Sequence, residues 1–120
     1  MMNFKPGDIV EVPFPFVDHP VKKRRPALIL SSEEFNQEQG IVILAMITTA
    51  KRSRWKSDAP LNDWKEAGLK APSMVRWKIF SLDSAMVFDR RGSLSQADRE
   101  LIAFSFKRIA APFLLKTTTL

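Results

Sequence analysis

Apolar positions along the chain fall into short blocks divided by proline, glycine and charge, which is the layout of strands rather than of long helices. After Gly7, the stretch DIVEVPF sets Ile9, Val10 and Val12 around Glu11 and runs into Pro13 and Pro15, so it predicts a first strand stopped by prolines. Phe16 to Arg25 has no apolar period and reads as an exposed loop. PALILS, from Pro26, is a continuous apolar run and predicts a second strand buried on both faces. SEEFNQEQG is polar, with at most one helical turn at Ser32 to Asn36, and IVILAMITT then predicts a third strand that ends in Thr48 and Thr49.

The middle, Asp58 to Pro72, is punctuated by Pro60, Gly68 and Pro72 and predicts a short strand and one helical turn. SMVRWKIFSLD predicts one or two short strands around Arg76 to Leu82, and SAMVFDRRGSL another near Met86. Ser95 stands three residues before Asp98 in a capping-box-like start, and Leu101, Ile102, Phe104, Phe106 and Ile109 follow at helical spacing. That helix is expected to end near Pro112 and leave LLKTTTL as a tail. The sum is a mainly β fold with a C-terminal α-helix, a small, partly closed barrel in one domain over residues 1–120, its core from about 4 to 111.

Composition narrows the chemistry. In 120 residues, 19 basic side chains oppose 13 acidic ones, and the formal charge of +6 favours polyanionic partners. The absence of cysteine excludes thiol nucleophiles, Cys-based zinc sites and disulfides, and a single histidine, His19, excludes a multi-histidine metal site. Glu33, Glu34, Asp58 and Asp63 have no metal-ligand spacing, and there is neither a Gly-rich phosphate loop nor a GxSxG. No metal or cofactor is expected. The start, MMNFKPGD, lacks an apolar signal region, and no window nears the roughly 18 apolar residues of a membrane span, so a soluble, cytoplasmic protein is expected.

Four cations, Lys22, Lys23, Arg24 and Arg25, run straight into Pro26. The proline drives Arg25 into an extended conformation, so its planar fork is aimed by the scaffold in a way that suits a phosphate. Thr48 and Thr49, at a strand end, are placed to bond a phosphoryl oxygen. KRSRWK interleaves Lys51, Arg52 and Arg54 with Trp55, a combination suited to single-stranded nucleic acid. Arg76 alternates with Val75 and Trp77 and faces away from them, and His19 is a candidate general base. Each has a plainer explanation: a solvated turn for the cations, β propensity for the threonines, packing for Trp55, open water for Arg76 and an incidental surface position for His19.

Taken in order, GDIVEVPF, a polar loop, RRPALILS, ILAMITT, SMVRWKIFSLD and a C-terminal helix resemble the MazF/PemK family of toxins from toxin-antitoxin systems, over about Phe4 to Ala111. The resemblance implies an SH3-like barrel, a homodimer and a metal-independent endoribonuclease that cuts single-stranded RNA, often messenger RNA, by 2′-hydroxyl attack to leave a 2′,3′-cyclic phosphate. The family's arginine before a proline matches Arg25, its strand-end threonine matches Thr48, and Thr49 stands where some members carry serine. The PemK/Kid branch adds an arginine that matches Arg76 and a first-loop histidine about one residue out of step with His19. That branch has an acid where this chain has Lys78, which joins the candidate substrate-binding set of Lys22, Lys23, Arg24, Thr49, Lys51, Arg52, Arg54 and Trp55. Family partners are an acidic antitoxin, which docks near the first loop, and operator DNA bound together with it. Two other readings are a nucleic-acid or antitoxin-binding module that does not cut, and a gyrase-directed toxin, since the CcdB toxins share the fold.

Overall fold

The computed structural model describes residues 3–14, 23–52 and 55–116, and its second strand begins at Lys23, inside the stretch expected to be loop. In chain order the elements are β1 (Asp8–Phe14), β2 (Lys23–Ile29), α1 (Glu33–Gln39), β3 (Ile41–Thr49), a 3₁₀ turn (Ala50–Arg52), β4 (Ala59–Pro60), β5 (Ser73–Asp83), a second 3₁₀ turn (Ser84–Met86), β6 (Asp89–Ser93) and α2 (Gln96–Lys116). Among the described residues the strands make one curled, antiparallel half-barrel sheet in the order β4-β5-β3-β2-β1-β6.

Alternation along the strands gives the sheet two apolar faces. On one, Ile9, Leu28, Ala45, Ile47, Val75 and Trp77 are buried beneath Ile102 and Phe106 of α2 and the segment carrying Leu61 and Leu69. Trp77 anchors this contact: its ring lies 5.0 Å from that of Phe106, and its Nε1–H donates to Ser105 Oγ at 2.9 Å. On the other face Val10, Val12, Ala27, Ile29, Val42, Leu44 and Leu82 pack with Phe4 and Val87.

Several elements differ from their sequence expectation. The turn at Ser32 to Asn36 is a seven-residue helix, because Ser32 caps it by accepting from Phe35 N–H and Gly40 ends it in the left-handed conformation. The one or two short strands around Arg76 are a single eleven-residue β5, bent where its register to β3 shifts by two residues between Ala45 and Met46. The strand expected near Met86 lies later, at Asp89–Ser93, while Ser84–Met86 is a 3₁₀ turn. DRRGS has little β propensity of its own. It is held at the sheet edge by pairing with β1 and by ion pairs from Arg90 to Asp8 (3.0 Å) and from Arg91 to Glu11 (3.3 Å). Finally, α2 passes through Pro112 to Lys116. Proline deprives the Arg108 carbonyl of its helical donor, yet its fixed φ is a helical one, so the chain carries on.

The capping box at α2 is half formed. Ser95 Oγ accepts from Asp98 N–H at 3.1 Å, but the Asp98 carboxylate takes the N–H groups of Asn62 (3.1 Å) and Asp63 (2.8 Å) instead of returning to the cap. Ser95 O–H in turn donates to Asp63 at 2.6 Å, which ties the turn after β4 to the start of α2. Nearby, Gly68 has φ +86°, and a Cβ there would overlap the carbonyl oxygen of Arg91. Gly68→Ala is therefore expected to cost about 2–3 kcal/mol, from the left-handed backbone plus the displaced strand edge. A urea melt checks this, and an unchanged midpoint would contradict it.

Candidate functional site

Odd positions of β2 and even positions of β3 and β5 share the second face of the sheet. At one end that face is apolar, and at the other it presents Arg25, Thr48, Arg76 and Lys78. The reason lies in Pro26, which has no N–H to give to a neighbouring strand. Pairing between β2 and β3 accordingly ends at Ala27 and Met46, and beyond them the two strands border a cleft. Continuing that register by two residues sets Arg25 level with Thr48, while on the other side of β3 Met46 pairs with Arg76. Phe14, Met46, Ile47, Thr49 and Ser73 complete the lining of a volume of about 230 Å³.

The cations in and around the cleft are held differently. Arg25 is half-buried and has no acidic partner among the described residues. Arg76 is clamped: its Nε and Nη2 donate to the two oxygens of Asp58 at 3.3 and 3.1 Å, and its guanidinium carbon lies 5.1 Å from the ring centre of Trp55. Asp58 has a side chain only 1% exposed. Lys78 is exposed, in the stretch of β5 that the register shift leaves bulged from β3.

Other sequence candidates lie elsewhere. Arg24 alternates with Arg25 and points to the opposite face, where it reaches Glu11 (3.5 Å) and Asp89 (3.3 Å) and covers the Phe88 ring at 4.4 Å. Lys23 is exposed at the start of β2, Thr49 is exposed at the cleft edge, and Lys51 is exposed in the first 3₁₀ turn. Trp55 is 44% exposed and meets the cleft through Arg76. His19, Lys22, Arg54 and the side chain of Arg52 lie outside the described residues. Among those described, no three His, Cys, Asp or Glu side chains gather as a metal ion would require. Asp58 is the residue of this site that sequence reasoning passed over. Its partner is 18 positions away, and the one local signal was a carboxylate placed just before Ala59–Pro60.

The PemK-like, MazF-like toxin family of type II toxin-antitoxin systems matches residues 5–109. No curated protein matches in sequence. Among solved structures, an endoribonuclease in complex with its cognate antitoxin from a mycobacterial species superposes with a TM-score of 0.69 at 15% identity, covering 90% of this chain and 93% of the other. A MazE–MazF complex from Deinococcus radiodurans gives 0.72 at 17% identity, covering 94% and 97%. The Mycobacterium tuberculosis toxin MazF-mt6 gives 0.66 at 21% identity, covering 84% and 93%. Those structures share the fold, and the family match takes in every strand and most of α2, so the chain belongs to the PemK-like, MazF-like toxins of type II toxin-antitoxin systems.

Proposed function

We propose that this toxin is a metal-independent, sequence-specific endoribonuclease acting on single-stranded RNA, messenger RNA included, in the cytoplasm. The observation that carries the reading is the cleft itself, which Arg25, Pro26 and Thr48 all line beyond the point where pairing between β2 and β3 ends. The substrate supplies the nucleophile. Its 2′-oxygen loses a proton and bonds to the adjacent phosphorus, the bond from phosphorus to the 5′-oxygen breaks, and that oxygen takes up a proton. The products are a 2′,3′-cyclic phosphate and a free 5′-hydroxyl. Arg25 stabilises the added charge on the five-coordinate phosphorus, and Thr48 O–H donates to a non-bridging oxygen. Arginine is not deprotonated in such a site, so its role is charge and geometry rather than proton transfer. His19 is the candidate base. Lys22, Lys23, Thr49, Lys51, Arg52, Arg54, Trp55 and Lys78 are assigned to the flanking strand.

The exposed apolar side chains Leu101, Phe104, Ile109 and Phe113 on α2 support a protein contact, which we assign to a homodimer. Among the relatives in structure, one mycobacterial endoribonuclease is bound to its cognate antitoxin. For this chain the corresponding partner is an acidic antitoxin, and with it operator DNA. Among the described residues, no helix is long and apolar enough to cross a membrane.

A time course on mixed-sequence single-stranded RNA in EDTA, with the new ends mapped, tests the activity. Cutting at a defined sequence with cyclic phosphate ends is expected, and a 2′-deoxy substitution at the cut site is expected to stop it. Cutting that survives the deoxy substitution would exclude 2′-oxygen attack. RNA bound but left intact across varied sequences would favour a binding module, for which the cationic Lys78 at the cleft is the supporting observation.

A further inference from the structure

One carboxylate holds two features of the cleft at once. Asp58 takes the Nε and Nη2 edge of Arg76, and the turn that carries it closes with Asp58 N–H donating to the Trp55 carbonyl at 3.1 Å and Trp55 N–H directed back to Asp58 Oδ2 at 3.4 Å. The guanidinium is thereby fixed along one edge by Asp58 and across one face by the Trp55 ring. Such a side-on fork leaves the Nη1 end for the cleft that Arg76 lines. It also cancels much of the arginine's charge, because the acid beside it is buried.

We infer that Asp58 is a positioning residue, which turns Arg76 from a mobile cation that attracts RNA into a fixed hydrogen-bond donor aimed at the phosphate in the cleft. The inference deepens the ribonuclease reading and rests on it for its rate effect. Its effect on binding stands apart from catalysis. Removing the acid makes Arg76 a stronger attractor and a poorer guide, so affinity and rate move in opposite directions, whereas a merely structural loss would lower both.

The test is a double-mutant cycle of wild type, Asp58→Asn, Arg76→Ala and the double variant. Each is measured for single-turnover cleavage of RNA and for equilibrium binding of the same sequence made uncleavable by 2′-O-methylation. Asp58→Asn is expected to cut about 10- to 100-fold more slowly. It should bind the uncleavable strand at least as tightly, with a salt dependence steeper by up to about 0.7 in log–log slope. In the Arg76→Ala background both effects should vanish. Asp58→Glu keeps the charge but displaces the fork, so it should retain wild-type affinity and salt slope while losing rate, and it carries the test should Asp58→Asn fail to fold. Effects of Asp58→Asn that persist without Arg76, or an Asp58→Glu variant as fast as wild type, would overturn the inference. If wild type leaves RNA uncut, the ribonuclease reading falls. The binding arm of the cycle then decides by itself whether Asp58 acts through Arg76.

Discussion

Arg25→Ala is expected to lower the single-turnover rate of RNA cleavage by at least about 100- to 1000-fold, the loss typical of one preorganised donor at a developing charge. Of the two arginines that line the cleft, Arg25 is the one with no acidic partner among the described residues, so its full charge is available to the phosphate. It is also the one that Pro26 holds extended at the point where β2 and β3 part. Arg25→Lys keeps the charge and loses the planar fork, so it should restore RNA affinity much better than rate. A half-buried side chain at a cleft edge contributes little packing, and the melting temperature of both variants should stay near that of wild type. Cleavage by Arg25→Ala at the wild-type rate would remove Arg25 from the chemistry.

Asp98→Ala should destabilise the fold strongly, by about 3–5 kcal/mol. Its carboxylate is fully buried and accepts two backbone N–H bonds from a segment 35 or more positions earlier. Hydrogen bonds to a charged group contribute about 1.5–3 kcal/mol each, and alanine would leave both donors without their acceptor. Ser95→Ala removes a helix cap and should cost only about 1 kcal/mol. Urea melts of the two variants give the comparison through their midpoints at constant slope. A cost for Asp98→Ala no larger than that for Ser95→Ala would refute the account.

What sequence reasoning could reach depended on whether an element carries its own cause. β1 and β3 are bounded as expected because DIVEVPF and IVILAMITT combine β propensity with apolar patterning and end, respectively, at a proline pair and a hydroxyl pair. β6 was displaced because DRRGS owes its extended form to a partner strand, and pairing with β1 leaves no mark in a five-residue window. The bulge in β5 is likewise a relation between two strands rather than a property of one. In the site, Arg25 stood out by its local coupling to Pro26, and Thr48 by its place at a strand end. Arg24 illustrates the opposite case: adjacent strand residues point to opposite faces, so a run of cations cannot all serve one cleft. Asp58 was missed because an acid opposite Arg76 is a tertiary fact, created when Ala59 pairs with Val75.

The division of one sheet face into an apolar end and a cationic end bears on synthesis of the toxin. Arg25, Thr48 and Arg76 stand on three strands, and the carboxylate that grips Arg76 comes from a fourth segment. None of the four meets another through local contacts, so a chain still emerging from the ribosome has no assembled centre until β5 is out and paired. Trp77, on the reverse of that strand, then needs α2 to cover it. On the ribonuclease reading proposed above, the emerging polypeptide would thus be harmless to the message being translated into it, its latency supplied by strand order alone.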